Sequence, residues 1–132
     1  ATGGNDAAVR LWNMADGALV RELRGHERPV YTVQFHPSGE FLLSGDLLGG
    51  VIQWNAATGA SVRTFDAKAL HTYEGGQQVD FGGVRTIAVS PDGKSVAISN
   101  RRGVAVWDTA TDTIRFPLKD PQRKPLPFPM QR

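Results

Sequence analysis

Residues 25–55 read GHERPVYTVQFHPSGEFLLSGDLLGGVIQWN, and this stretch decides the fold. Val30–Phe35, Phe41–Ser44 and Gly50–Trp54 are short runs rich in β-branched, aromatic and aliphatic residues, which is the composition of strands. HPSG at His36–Gly39 separates the first two as a tight turn, because proline presets the turn dihedral and glycine tolerates the backbone angles that complete it. Phe41, Leu42 and Leu43, and again Val51 and Ile52, are apolar on consecutive positions. Consecutive strand residues point to opposite faces, so this sheet must be covered on both sides. Ser61–Phe65 supplies a fourth strand.

The same unit recurs on either side. AAVRLWN ends at Asn13, GVIQWN at Asn55 and GVAVWD at Asp108, each built around a tryptophan. Trp12 and Trp54 are 42 residues apart and Trp54 and Trp107 are 53 apart. Aligning VYTVQFHPSG from Val30 with VRTIAVSPDG from Val84 assigns the difference to a 12-residue insertion and a one-residue deletion. A repeat of this period identifies stacked structural units. The expectation is an all-β chain of ten or eleven strands over residues 1–118, with four antiparallel strands per complete unit.

The Gly-His, Pro-Ser/Asp-Gly and Trp-Asn/Asp elements recur in order across residues 1–118, and in this the chain resembles the WD-repeat family of β-propellers. The resemblance implies blades of four antiparallel strands packed face to face. The chain then divides into a half blade at 1–24, a complete blade at 25–65, an inserted loop at 66–83, a complete but irregular blade at 84–118 and a tail at 119–132. About two and a half blades cannot close a ring that normally needs at least about four. Together with Ala1 in the place of an initiator methionine, this leads to the expectation of a fragment of a longer polypeptide. Closure by identical chains is the rival explanation.

The resemblance also implies a buried polar tetrad of histidine, serine or threonine, aspartate and tryptophan. By position the middle blade offers His26, Ser44 and Trp54, with Leu48 where the aspartate is expected. The first blade offers Thr2, Asp6 and Trp12. The third keeps Trp107, with Asp80 and Ile98 at the histidine and serine positions, and is therefore expected to be the least regular. All three tryptophans are expected in blade cores.

Composition narrows the remaining possibilities. Of 132 residues, 40% are hydrophobic and 21% charged, within the ordinary globular range and far from disordered compositions. No run approaches the roughly 18 apolar residues of a membrane-spanning helix, so no membrane partner is expected. The absence of cysteine excludes disulfides, thiolate metal ligands and cysteine nucleophiles. It leaves the compartment open, with a cytoplasmic location as the working expectation. The net charge of +2 is carried by the tail: residues 117–132 hold a net +3 and residues 1–116 a net −1. The body therefore lacks the basic footprint of a nucleic-acid binder. Five of the eight prolines also fall in 117–132, at spacings that never give Pro-x-x-Pro, so the tail reads as an extended linker.

No phosphate loop, nucleophile elbow or dinucleotide fingerprint is present. His71, Glu74 and Asp80 match no metal-ligand spacing, and neither a metal nor a cofactor is expected. The function that remains is a non-catalytic scaffold for a protein or peptide partner. The alternative is part of a propeller enzyme or metal-dependent protein whose active residues lie in other blades. Long connections in compact repeats are commonly functional, which directs attention to the insertion, with His71 and Tyr73, and to its neighbours Asn5, Pro29, Tyr31, Leu47 and Arg85. Tyrosine and arginine are enriched in interface hot spots. For Tyr31, packing within the strand is an equally good reading of the residue.

Overall fold

The structure is a computed structural model that describes residues 1–66, 72–74, 77–79, 83–100, 103–111 and 113–117. Among these residues there are thirteen β-strands and no helix. β1 (Thr2–Gly3), β2 (Ala8–Trp12) and β3 (Leu19–Arg24) form a three-stranded antiparallel sheet, blade 1. β4 (Val30–Phe35), β5 (Phe41–Asp46), β6 (Gly50–Asn55) and β7 (Ser61–Asp66) form blade 2 in sequence order. β10 (Thr86–Val89), β11 (Ser95–Asn100), β12 (Gly103–Asp108) and β13 (Thr113–Pro117) form blade 3 in the same way. The insertion differs from the expected loop: β8 (Thr72–Glu74) and β9 (Gln77–Val79) pair as a separate antiparallel hairpin. That hairpin carries the strand number above the expected ten or eleven.

The two-faced apolar pattern is explained by where the blades meet. Leu42 joins Val9, Leu11, Leu23, Val30, Ile52 and Trp54 in the core between blades 1 and 2. Its neighbour Leu43 joins Val51, Val84, Ile87, Val96, Ile98 and Trp107 in the core between blades 2 and 3. Each buried tryptophan thus lies at the junction with the blade before it. Trp12 departs from the expected core position: it is 39% exposed, because no described blade lies against its face. Its indole N–H donates to Thr2 Oγ1 at 2.9 Å.

The junctions also repeat in the backbone. Val30 N–H donates to Gly4 O at 3.0 Å and Val84 N–H, two residues ahead of β10, to Asp46 O at 2.9 Å, tying the entry of blades 2 and 3 to the blade before. Close approach depends on glycine beside these bonds. A Cβ on Gly3 would lie 2.5 Å from Val30 Cγ1, and one on Gly45 would lie 2.6 Å from Val84 Cγ1.

Blade 3 is built less regularly. In blades 1 and 2 the outer-strand bulge falls just before the tryptophan, between Leu11 and Trp12 and between Gln53 and Trp54. In blade 3 it falls between Ala105 and Val106, leaving Trp107 in plain register with Ile114.

Candidate protein-interaction surface

The polar centre of blade 2 forms a continuous chain. Trp54 Nε1–H donates to Ser44 Oγ at 2.8 Å, Ser44 Oγ lies 2.6 Å from His26 Nε2, and His26 Nδ1 lies 2.9 Å from Asp46 Oδ2. The bonds are all satisfied with the histidine proton on Nδ1 and the serine hydroxyl donating to Nε2. The acid missing at Leu48 is supplied two residues earlier, by Asp46 at the end of β5. Its Oδ1 also accepts the N–H groups of Leu48 and Gly50, both at 2.9 Å, and so shapes the turn into β6. Burial works to raise the Asp46 pKa, but the His26 hydrogen bond and these two backbone donors outweigh it and hold the carboxyl below its usual range.

This connectivity is that of a Ser-His-Asp nucleophilic triad. Ser44 cannot act as one here. It is 0% exposed, and its oxygen already accepts the tryptophan N–H, so no substrate carbonyl can reach it. The group is an internal brace holding β5, β6 and the segment before β4 together.

The first blade is wired differently. Asp6 accepts two hydrogen bonds from the Arg10 guanidinium, and Arg10 also bridges to Glu22 at 2.9 Å. The Arg10 contact holds the Asp6 carboxyl down at a pKa of about 2. Thr2 and Trp12 bond to each other, apart from this exposed cluster. In blade 3, Trp107 and Ile98 are buried, while Asp80 lies outside the described residues.

The candidate contact residues divide sharply. Leu47 N–H donates to Pro29 O at 3.0 Å, and a Cβ on Gly83 would lie 2.6 Å from Leu47 O. Pro29, Leu47 and Gly83 therefore meet at one end of the blades, where β4 and β10 begin. Arg85 is exposed at the start of β10, and Asn5 is exposed in the turn of blade 1 between β1 and β2. Tyr31 is placed by a bulge: Val30 pairs with Asp46 and Thr32 with Gly45, so Tyr31 has no partner of its own on β5. Bulges re-aim side chains, and Tyr31 is 47% exposed instead of packed within the sheet. His71 lies outside the described residues, and of Tyr73 only the backbone strand is described.

Sequence reading missed Leu48 as a surface residue. With its turn organised from Asp46, Leu48 points outward and is 55% exposed beside the exposed Leu47. The readable signal was a Leu-Leu pair inside a turn, where burial is not available. Among the described residues no group of three or more histidine, aspartate or glutamate side chains is arranged to hold a metal ion.

Residues 17–55 match the family described as WD domain, G-beta repeat. The chain is 28% identical to Coronin-7 of Rattus norvegicus over 139 aligned positions, covering 97% of this chain and 12% of that protein. It is 24% identical over 118 residues to Small ribosomal subunit protein RACK1y of Oryza sativa subsp. japonica, covering 89% of this chain and 31% of the relative. Over 57 residues it is 35% identical to Transcription initiation factor TFIID subunit 5 of Caenorhabditis elegans, covering 43% and 9% respectively. The chain thus spans less than a third of the length of each of these relatives. Its repeated four-stranded blades, its buried tryptophans and the match over residues 17–55 make the chain similar to the WD-repeat family.

Proposed function

We propose that this chain is a non-catalytic scaffold for a protein or peptide partner and forms part of a larger propeller, completed by further blades of the same polypeptide. The organisation is a half blade at 1–24, a blade at 25–65, an inserted segment at 66–83, a blade at 84–118 and a tail at 119–132. The observation that carries the reading is the exposed set of Tyr31, Leu47 and Leu48 on braced elements beside the root of the insertion. Rigid presentation lowers the ordering cost of binding, and exposed tyrosine is a frequent anchor. The buried and fully bonded Ser44 supports a role without catalysis.

The test takes a partner captured on the immobilised chain, purified, and titrated against Tyr31→Ala and the paired Leu47→Ser, Leu48→Ser variant. Thermal melting of the same proteins should be nearly unchanged, while each anchor lost should weaken binding by about 1 to 2 kcal/mol. Replacing residues 66–82 with the short connection used between blades 1 and 2 should also weaken binding without unfolding the chain. Full affinity in folded variants would remove these residues from the surface. A hydrolase activity abolished by Ser44→Ala would overturn the non-catalytic reading.

A further inference from the structure

The inserted hairpin has two bare edges. β8 and β9 pair with Thr72 opposite Val79, Tyr73 opposite Gln78 and Glu74 opposite Gln77, and among the described residues no third strand joins them. Only Gly75 and Gly76 connect the two strands, the composition that two-residue hairpin connections favour because both positions take left-handed angles. In such a hairpin the pair beside the connection exchanges both of its backbone hydrogen bonds, and the next pair exchanges none. The N–H and C=O of Tyr73 therefore point away from β9, and those of Gln78 away from β8. Two strands by themselves are marginally stable in water, so a third strand on either edge adds hydrogen bonds and order together.

The outermost strands of the blades are defended against such pairing. β3 carries Arg21, Glu22 and Arg24, β7 carries Arg63 and Asp66, and β13 carries Arg115 and Pro117. Charge and proline blunt a sheet edge, because an added strand must desolvate the one and finds no N–H on the other. Two of these arginines are also fastened to a turn of the next blade: Arg21 donates to Ala57 O at 2.5 Å and Thr58 O at 3.2 Å, and Arg63 to Thr109 O at 2.7 Å. The hairpin is composed differently. From Ala69 to Val84 there is no lysine, arginine or proline, and the fixed charges are Glu74 and Asp80, both acidic. Edges of this kind accept a strand and favour one of opposite charge.

We propose that the β8–β9 hairpin binds an extended segment of the protein partner, rich in lysine or arginine, as a third strand. The segment bonds to the outward backbone of Tyr73 on one edge or of Gln78 on the other, and its cations face Glu74 and Asp80. The chain's own basic tail is not the occupant, because its five prolines between 117 and 129 remove the N–H groups that a strand must donate. A second copy would bring the same two acids against Glu74 and Asp80 and is opposed by like-charge repulsion. The inference rests on the scaffold reading and names the chemistry of the partner.

The probe is a blocked peptide of alternating lysine and valine, added to the polypeptide at its natural length. Hydrogen exchange followed by mass spectrometry should slow about tenfold within residues 72–79, while the Val30 and Val84 amides keep their rates. Tyr73→Pro or Gln78→Pro, depending on the edge used, should weaken binding about tenfold, the effect of one lost backbone hydrogen bond. Tyr73→Phe and Gln78→Ala keep the N–H and should bind as the wild type does. The same peptide N-methylated along its backbone should not bind the unaltered chain, a result that holds whatever the proline variants do to the hairpin. Replacing its lysines with glutamates should also weaken binding at least about tenfold. Unchanged exchange in 72–79, equal binding of the methylated or glutamate peptide, or full affinity in both proline variants would overturn the proposal. So would protection of 72–79 that rises with the concentration of the chain alone, which would assign the edges to a second copy. The peptide reads the hairpin without Tyr31, Leu47 or Leu48, so its failure and a failed partner titration are separate results.

Discussion

Ala7 is the one non-glycine residue with a left-handed backbone among those described, at φ 66°, where the equivalent turn of blade 2 has Gly49 at φ 96°. A side chain there costs about 1 kcal/mol or more, because Cβ crowds the next carbonyl. Ala7→Gly is expected to raise stability by about 0.5 to 1 kcal/mol, the relief of strain exceeding the added chain entropy. A urea midpoint that falls would contradict this. Asp46 sets the acid limit. Its folded pKa lies below the unfolded value of 3.8, so its contribution is fully present above that value and is lost as pH falls through the folded pKa. Asp46→Ala should cost about 1 to 3 kcal/mol at pH 7, by leaving His26 and two backbone N–H groups without their acceptor. The variant should also show a shallower loss of stability below pH 4 than the wild type, which denaturant titrations across pH would measure.

At the scale of elements, the blade contact is limited by glycine and fastened by arginine. Gly45→Ala would press Cβ onto Val84 from the neighbouring blade, and overpacking of this kind costs about 1 to 3 kcal/mol. Adding Val84→Ala should recover part of the loss, and independent, additive costs would argue against direct contact. Arg63→Met should speed hydrogen exchange at the Val84 amide, which spans the same junction, more than at Val30 in the other junction. Equal acceleration of both amides would mean a global effect instead of a local fastening. The tryptophans rank by position: Trp54→Ala should cost about 3 to 5 kcal/mol, and Trp12→Ala distinctly less because its ring is already partly in water.

For the whole molecule, stability is a sum of blades and the junctions between them, as in other repeat architectures. Blade 2 is covered on both faces, whereas blade 1 has an open face around Trp12. Native-state exchange should therefore show β2 and β3 opening about 1 kcal/mol or more below β5 and β6. Uniform protection across the blades would mean that the chain unfolds as one unit and that the open face carries no cost.

The repeat period, the Pro-x-Gly turns and the apolar pairs at Leu42–Leu43 and Val51–Ile52 were enough to specify four-stranded blades covered on both faces. They could do so because strand composition and turn chemistry are local properties of a few neighbouring residues. His26, Ser44 and Trp54 were likewise legible from their places in the repeat. Tertiary structure decided the rest. Asp46 replaces an acid expected at Leu48 because the turn lets a residue at the strand end reach back to His26. Tyr31 faces solvent because one extra residue on β4 breaks the alternation from which its direction would be read. Trp12 is exposed although it shares a strand position with Trp54 and Trp107, because burial depends on the blade beside it and not on the residues around it in sequence.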